Sequence, residues 1–326
     1  MENAKPRQKN HCIDFIKGIA CICVVFMHCE FPGQLGVIVQ TVSRFCVPFF
    51  FMVSGFYCFG GGVDKIQKKI IHILKIIAWS TIFYVLFAVA RYFLSNGEDN
   101  LFRFSLLDVG CFVFLNAPIV IAGQLWFLFA LLYDYILFWI VKRFNLVKPA
   151  HILIPVLAAT YVFCAQGAVL IGIHIPKLIY RNFLVEGFTF FMLGHWLHQN
   201  EERIRKLNNA ALIGGMILST LLCIAERYFM GRDFGVNVFS FPQVFCIFAY
   251  AMNNSAAHEN SVIRKLGSRC SMLVYILHPF VWHSLEYVYA WLGVGENMAA
   301  LYILPLLVLG ISILLSLALQ RKRGIA

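Results

Sequence analysis

Apolar runs long enough to cross a bilayer recur from one end of this chain to the other. Each covers about 17–25 residues, the length at which a helix rising about 1.5 Å per residue crosses ~30 Å of hydrocarbon. They fall at 13–31, 37–59, 71–94, 122–141, 150–172, 181–198, 210–229, 239–256, 270–290 and 298–319. Inside lipid every backbone N–H and C=O must find its partner within the segment, so runs of this length predict helices. The expectation is an all-α, polytopic transmembrane helical bundle of about ten spans. Charged residues are only 13% of the 326, about half the share of a water-facing domain. No polar stretch is long enough to form a separate soluble domain, so one membrane domain over 1–326 is expected. The stretch 106–121 is apolar but interrupted by Gly110 and Pro118. It reads as a re-entrant or interfacial segment, or as one further span.

The formal charge of +11 would raise nucleic acid as a partner in a soluble protein. Here the cations follow the loops. With the N-terminus inside, cytoplasmic segments carry Lys5, Arg7 and Lys9; Lys65, Lys68 and Lys69; Lys142, Arg143 and Lys148; and three more such triplets, at 203–206, 264–269 and 321–323. The opposite side holds six: Arg91, Arg103, Lys177, Arg181, Arg227 and Arg232. That bias is the positive-inside rule, and it predicts both termini in the cytoplasm. Topology accounts for the excess charge, and nucleic acid is not an expected partner. No small-residue cleavage site follows the first apolar run, which therefore reads as a retained span. The eleven cysteines are scattered through apolar runs, so neither a zinc site nor a disulfide framework is expected.

Titratable residues inside spans are costly and usually face the bundle interior. The first span holds Asp14, Lys17 and His28. Lys17 and His28 are eleven positions apart, which places them on one helix face about 16 Å apart along the axis. Asp14 lies one turn from Lys17, where an i,i+3 pair neutralises both charges. Arg44, in the second span, falls at a depth comparable with His28. An imidazole and a guanidinium at one depth suit an anion or a developing oxyanion. The plainer alternatives are an interfacial ion pair, a packing histidine and an arginine snorkelling to headgroups. Asp134, Glu186 and His278 are further embedded polar residues. Glu186 lies five residues beyond Arg181, which lets both line an outer cavity. His195 and His198 read as interfacial. His278 and His283 lack the i,i+4 spacing of a metal pair, and no metal is expected.

Four segments, in order, carry a resemblance. Asp14-Phe15-Ile16-Lys17-Gly18 with Val24-Val25-Phe26-Met27-His28 resembles the opening of the acyltransferase-3 family of integral-membrane acyltransferases. Pro48-Phe49-Phe50-Phe51-Met52-Val53-Ser54-Gly55-Phe56 resembles its second signature, Leu125-Trp126-Phe127-Leu128 its mid-chain one, and Tyr275-Ile276-Leu277-His278-Pro279 its late one. The resemblance implies a multi-pass enzyme of the cell (plasma or inner) membrane. Such an enzyme moves an acetyl or succinyl group from cytoplasmic acyl-CoA to a hydroxyl of a cell-surface glycan or its lipid-linked precursor. It implies a catalytic role for His28, and Arg44, at the same depth, is expected to stabilise the developing charge. It further implies acyl-CoA binding by Lys17, Lys65, Lys68 and Lys69 and acceptor contacts from Trp126 and His278, which Glu186 is expected to join from the outer cavity. In one respect the chain departs from the family: the first-span arginine is here Lys17, which keeps the charge but loses the bidentate fork. The sequence ends directly after the last span, so the acyl group is expected to reach its acceptor from this domain alone or through a separate protein. The alternative function is a transporter or flippase of a small amino acid or glycan precursor, which would work without acyl-CoA.

Overall fold

The computed structural model describes residues 10–94, 105–117 and 123–322. Lys5, Arg7, Lys9, Arg103 and Arg323 lie outside these, as does the 118–121 part of the interrupted apolar stretch. Every described element is helical, with no strand among the described residues. The principal helices are α1 (His11–His28), α2 (Gly33–Val42), α3 (Cys46–Phe56), α4 (Val63–Leu94), α5 (Leu106–Leu115), α6 (Trp126–Arg143), α7 (Val147–Val162), α8 (Thr189–Gln199), α9 (Asn209–Met230), α10 (Ser240–Asn253), α11 (Ser271–Trp291) and α12 (Met298–Lys322).

Among the described residues, seven helical stretches are long and apolar enough to cross a membrane: His11–His28, Gly33–Phe56, Val63–Phe93, Gly123–Arg143, Val147–Leu170, Asn209–Met230 and Met298–Arg321. Helices also occupy the other three expected positions, and each falls short for a physical reason. A π-helical turn at Phe183–Phe188 precedes α8, α10 has only 14 residues, and α11 carries His278, His283 and Glu286 among its apolar residues. The segment Leu106–Leu115 is a short apolar helix. Over half of the apolar window is buried in the first, second and fourth of the seven, but under a quarter in the other four. The latter turn large side chains such as Trp79, Leu86 and Phe229 outward, as lipid-facing helices do. With 32 residues, α4 is about 48 Å long. It outruns the hydrocarbon by several turns, which leaves room for Lys65, Lys68 and Lys69 in its first turns outside the apolar layer.

The chain divides into two compact units, Met1–Phe49 with Asn200–Gly231 and Phe239–Ala326, and Phe50–Gln199 with Arg232–Val238. In the first, α1 starts at a two-way cap. The Asn10 side chain accepts from Ile13 N and donates to Ala251 O, both at 2.9 Å. Farther along, α1 crosses the segment leading into α11 backbone to backbone. A Cβ on Gly18 would run into the Ile263 carbonyl, and one on Gly267 into the Asp14 carbonyl. Small residues at such crossings let helices approach where lipid offers no hydrophobic drive.

The second unit uses the same device. A Cβ on Gly55 would meet the Phe191 carbonyl, and one on Gly194 the Met52 carbonyl. This reciprocal pair seats α8 against the later half of α3. Gly194→Ala is therefore expected to cost about 2–3 kcal/mol by overpacking, read as a lowered melting temperature of the detergent-solubilised protein. A melting temperature equal to wild type would show that the crossing tolerates a methyl group.

Candidate active site

In the first unit the polar stripe of α1 takes the form its spacing implies. Asp14 is buried and receives Lys17 Nζ at 3.1 Å. Lys17 keeps a fifth of its side-chain surface exposed. His28 is the last residue of α1 and is half-buried, at the helix end where an imidazole suits the macrodipole.

Arg44 reaches the same end of α1 through a local break. Pro48 has no N–H to return to the Arg44 carbonyl, and Ser43–Phe45 tightens into a 3₁₀ turn. From that turn the Arg44 guanidinium donates to Met27 Sδ at 3.7 Å, placing it beside the residue that precedes His28.

The third group comes from α11. His278 is fully buried, and its ring centroid lies 5.2 Å from that of His28. Its Nδ1 is 3.1 Å from the Val274 carbonyl. A carbonyl only accepts, so Nδ1 carries the hydrogen and Nε2 of the neutral ring is left as a lone-pair acceptor. That Nε2 is buried with no hydrogen-bond partner among the described residues. The cluster thus joins a half-buried imidazole, a second imidazole with an unanswered acceptor and a guanidinium. Chemically it can take a proton from a hydroxyl and hold negative charge on an oxygen. Among the described residues no group of three metal-ligating side chains occurs.

The second unit holds the remaining expected residues. Lys65 and Lys68 are exposed, whereas Lys69 turns back to donate to Tyr57 O at 3.2 Å and Cys58 Sγ at 3.4 Å. The three lysines are therefore not equivalent: two face solvent, and the third ties α4 to the turn after α3. Trp126 opens α6 with the Arg181 guanidinium 4.5 Å over its ring. The two line a cavity of ≈ 200 Å³ together with Asn116, Gly123, Lys177 and Leu178. Glu186 is buried in the π-helical turn before α8 and is not part of that lining, so of the two residues expected in an outer cavity only Arg181 lines this one.

Sequence reasoning passed over Asn116, named Asp134 as embedded without giving it a role, and placed His195 at the interface. Asn116 adopts a left-handed conformation at the end of α5 (φ 50°) and is buried. It donates to Trp126 O at 3.2 Å and accepts from Phe183 N at 2.7 Å. Nothing in the apolar stretch around it marks that role. Asp134 is fully buried with neither carboxyl oxygen hydrogen-bonded among the described residues, in room left by Gly187. An acid in the middle of an apolar helix was the available signal. His195, expected near the interface, is buried with Nδ1 3.0 Å from His151 Nε2.

Residues 10–319 match a protein family described as an acyltransferase domain. Neither the curated proteins nor the solved structures contain a match.

Proposed function

This chain belongs to the acyltransferase-3 family of membrane O-acyltransferases, and from that premise we propose that it moves an acetyl or succinyl group from cytoplasmic acyl-CoA to a hydroxyl of a cell-surface glycan or its lipid-linked precursor. The observation that carries this reading is the meeting of His28, Arg44 and His278 around one end of α1, with the Asp14–Lys17 pair near the other. A phosphopantetheine arm is about as long as the ~16 Å between Lys17 and His28. CoA phosphates held at Lys17 would thus leave the thioester beside the imidazole.

In the transfer, His28 takes the proton from the acceptor hydroxyl as its oxygen attacks the thioester carbonyl. Arg44 stabilises the oxyanion of the tetrahedral intermediate. Collapse breaks the C–S bond and completes the C–O ester. The departing CoA thiolate recovers the proton from the imidazolium, leaving CoA thiol and neutral His28. His278 contacts the acceptor or holds the His28 ring in register through its free Nε2.

Washed membranes given labelled acetyl-CoA or succinyl-CoA test the reading. The expected result is label in the glycan or lipid-linked fraction, with one CoA thiol released per acyl group transferred. Solute uptake that proceeds undiminished without acyl-CoA, and no labelled ester, would overturn it.

Lys17 allows a narrower test. Lys17→Arg restores the planar fork that grips phosphate and retains the partner for Asp14. The KM for acyl-CoA is expected to fall roughly two- to fivefold with kcat unchanged, the signature of added uniform binding. An unchanged or higher KM would remove Lys17 from the CoA site.

A further inference from the structure

The cavity under Arg181 differs in character from the histidine cluster. Its volume, ≈ 200 Å³, is below that of a drug-sized site and suits one sugar ring or one headgroup. Among the described residues that line it two are cations, and they are used differently. Lys177 is answered: Asp233 Oδ2 lies 2.9 Å from its Nζ, and Asp233 Oδ1 accepts from Gly235 N at 3.2 Å. Arg181 has no ion pair among the described residues. Its guanidinium carbon instead lies 4.5 Å over the Trp126 ring, a cation–π contact that uses none of its N–H donors on a counter-charge.

The backbone passes close to the Arg181 side chain. Gly235 has φ +95°, a conformation that favours glycine. A Cβ there would lie 3.5 Å from Arg181 Cδ. On the other side, Asn116 grips the Trp126 carbonyl and the Phe183 N–H, which fixes the indole under the guanidinium. Asn116 has a donor and an acceptor committed within the protein and Lys177 is ion-paired with Asp233, so the cavity's lining charge without an ion pair among the described residues is Arg181. A guanidinium held over an indole, with no ion pair among the described residues, matches a planar or tetrahedral oxyanion, which it can grip with two parallel N–H bonds.

We infer that this cavity is a subsite for an acceptor sugar bearing an oxyanion, either a phosphate or a carboxylate, with Arg181 as the reading residue and Trp126 and Asn116 as its positioning residues. The inference rests on the acyltransferase reading for the statement that the ligand is an acceptor. It sharpens that reading: the preferred glycan unit is an anionic one, such as a uronate or a sugar phosphate, and a neutral hexose leaves the guanidinium unanswered. Lipid phosphate presents the same chemistry, and the test separates the two.

The full chain in phosphatidylcholine nanodiscs, without acyl-CoA, is treated with phenylglyoxal, and modification of Arg181 is followed by peptide mass spectrometry. Exposed Arg205, paired with Glu201, serves as the internal control. Millimolar glucuronate or glucose 1-phosphate is expected to slow modification of Arg181 roughly fivefold or more, with glucose without effect and Arg205 unchanged. Equal protection by glucose, or none by either anion, overturns the assignment. So does protection that appears only when phosphatidylglycerol is added to the nanodiscs, because that identifies a lipid headgroup as the occupant. Since no acyl donor is present, the result does not depend on catalysis. Protection in a chain that transfers no acyl group would sink the acyltransferase reading and leave the anion site standing.

Discussion

His28→Ala is expected to lower acyl transfer by about 10²–10⁴-fold, the range that positioned general bases contribute, while the protein remains folded. Folding should survive because His28 is half-buried at the terminal residue of α1. The anchors of that helix lie elsewhere: Asn10 pins its start, and Gly18 meets the segment before α11. His28→Gln sharpens the test. It keeps volume and hydrogen-bonding capacity next to the His278 ring but supplies no base, so it is expected to fall nearly as far as alanine. The assay is acyl transfer from labelled acyl-CoA in membranes, with the melting temperature of each purified variant as the folding control. Transfer by His28→Ala at wild-type rates would dispose of the mechanism, whether the imidazole acts as base or carries the acyl group itself. Those two roles separate in the wild-type protein without acceptor: a carrier releases a burst of one CoA per chain, whereas a base releases none.

Much of this frame was legible in the sequence because it depends on local periodicity. Asp14 and Lys17 pair at 3.1 Å because residues three apart on a helix are neighbours. The long apolar runs became helices for the same kind of reason. Partners separated in the chain were not legible. No periodic pattern links His28 to His278, yet their rings lie 5.2 Å apart, because α1 meets the approach to α11 through Gly18 and Gly267. Arg181 was legible as a cation on the less basic side with the spacing to line an outer cavity, but its partner Trp126 was not. Its place over Trp126 joins residues far apart in the chain, which no local pattern encodes. Helix interruptions were hidden as well. Runs scored as continuous spans hide the π-helical turn at Phe183–Phe188, which displaces Glu186 from the cavity lining that its spacing from Arg181 suggested.

The second large effect concerns Arg44, where two readings of one residue give opposite results. An arginine that merely snorkels to headgroups contributes charge at the interface, and lysine does that equally well. An arginine that holds an oxyanion acts through oriented donors, and lysine offers a point charge on a flexible stem. Arg44→Ala is expected to lower kcat by about 10²–10³-fold and Arg44→Lys by about tenfold or more, as for loss or misplacement of an oxyanion donor. KM for acyl-CoA should stay within about twofold in both, because the negative charge exists only in the transition state and its loss leaves ground-state binding untouched. Stability should change little. The turn that carries Arg44 is shaped by Pro48, not by the guanidinium, and the melting temperature of each variant is the folding control. Arg44→Lys with wild-type kcat would remove the oxyanion role and leave the snorkelling one. A loss that falls on KM instead would move Arg44 from the reacting carbonyl to the binding of the donor.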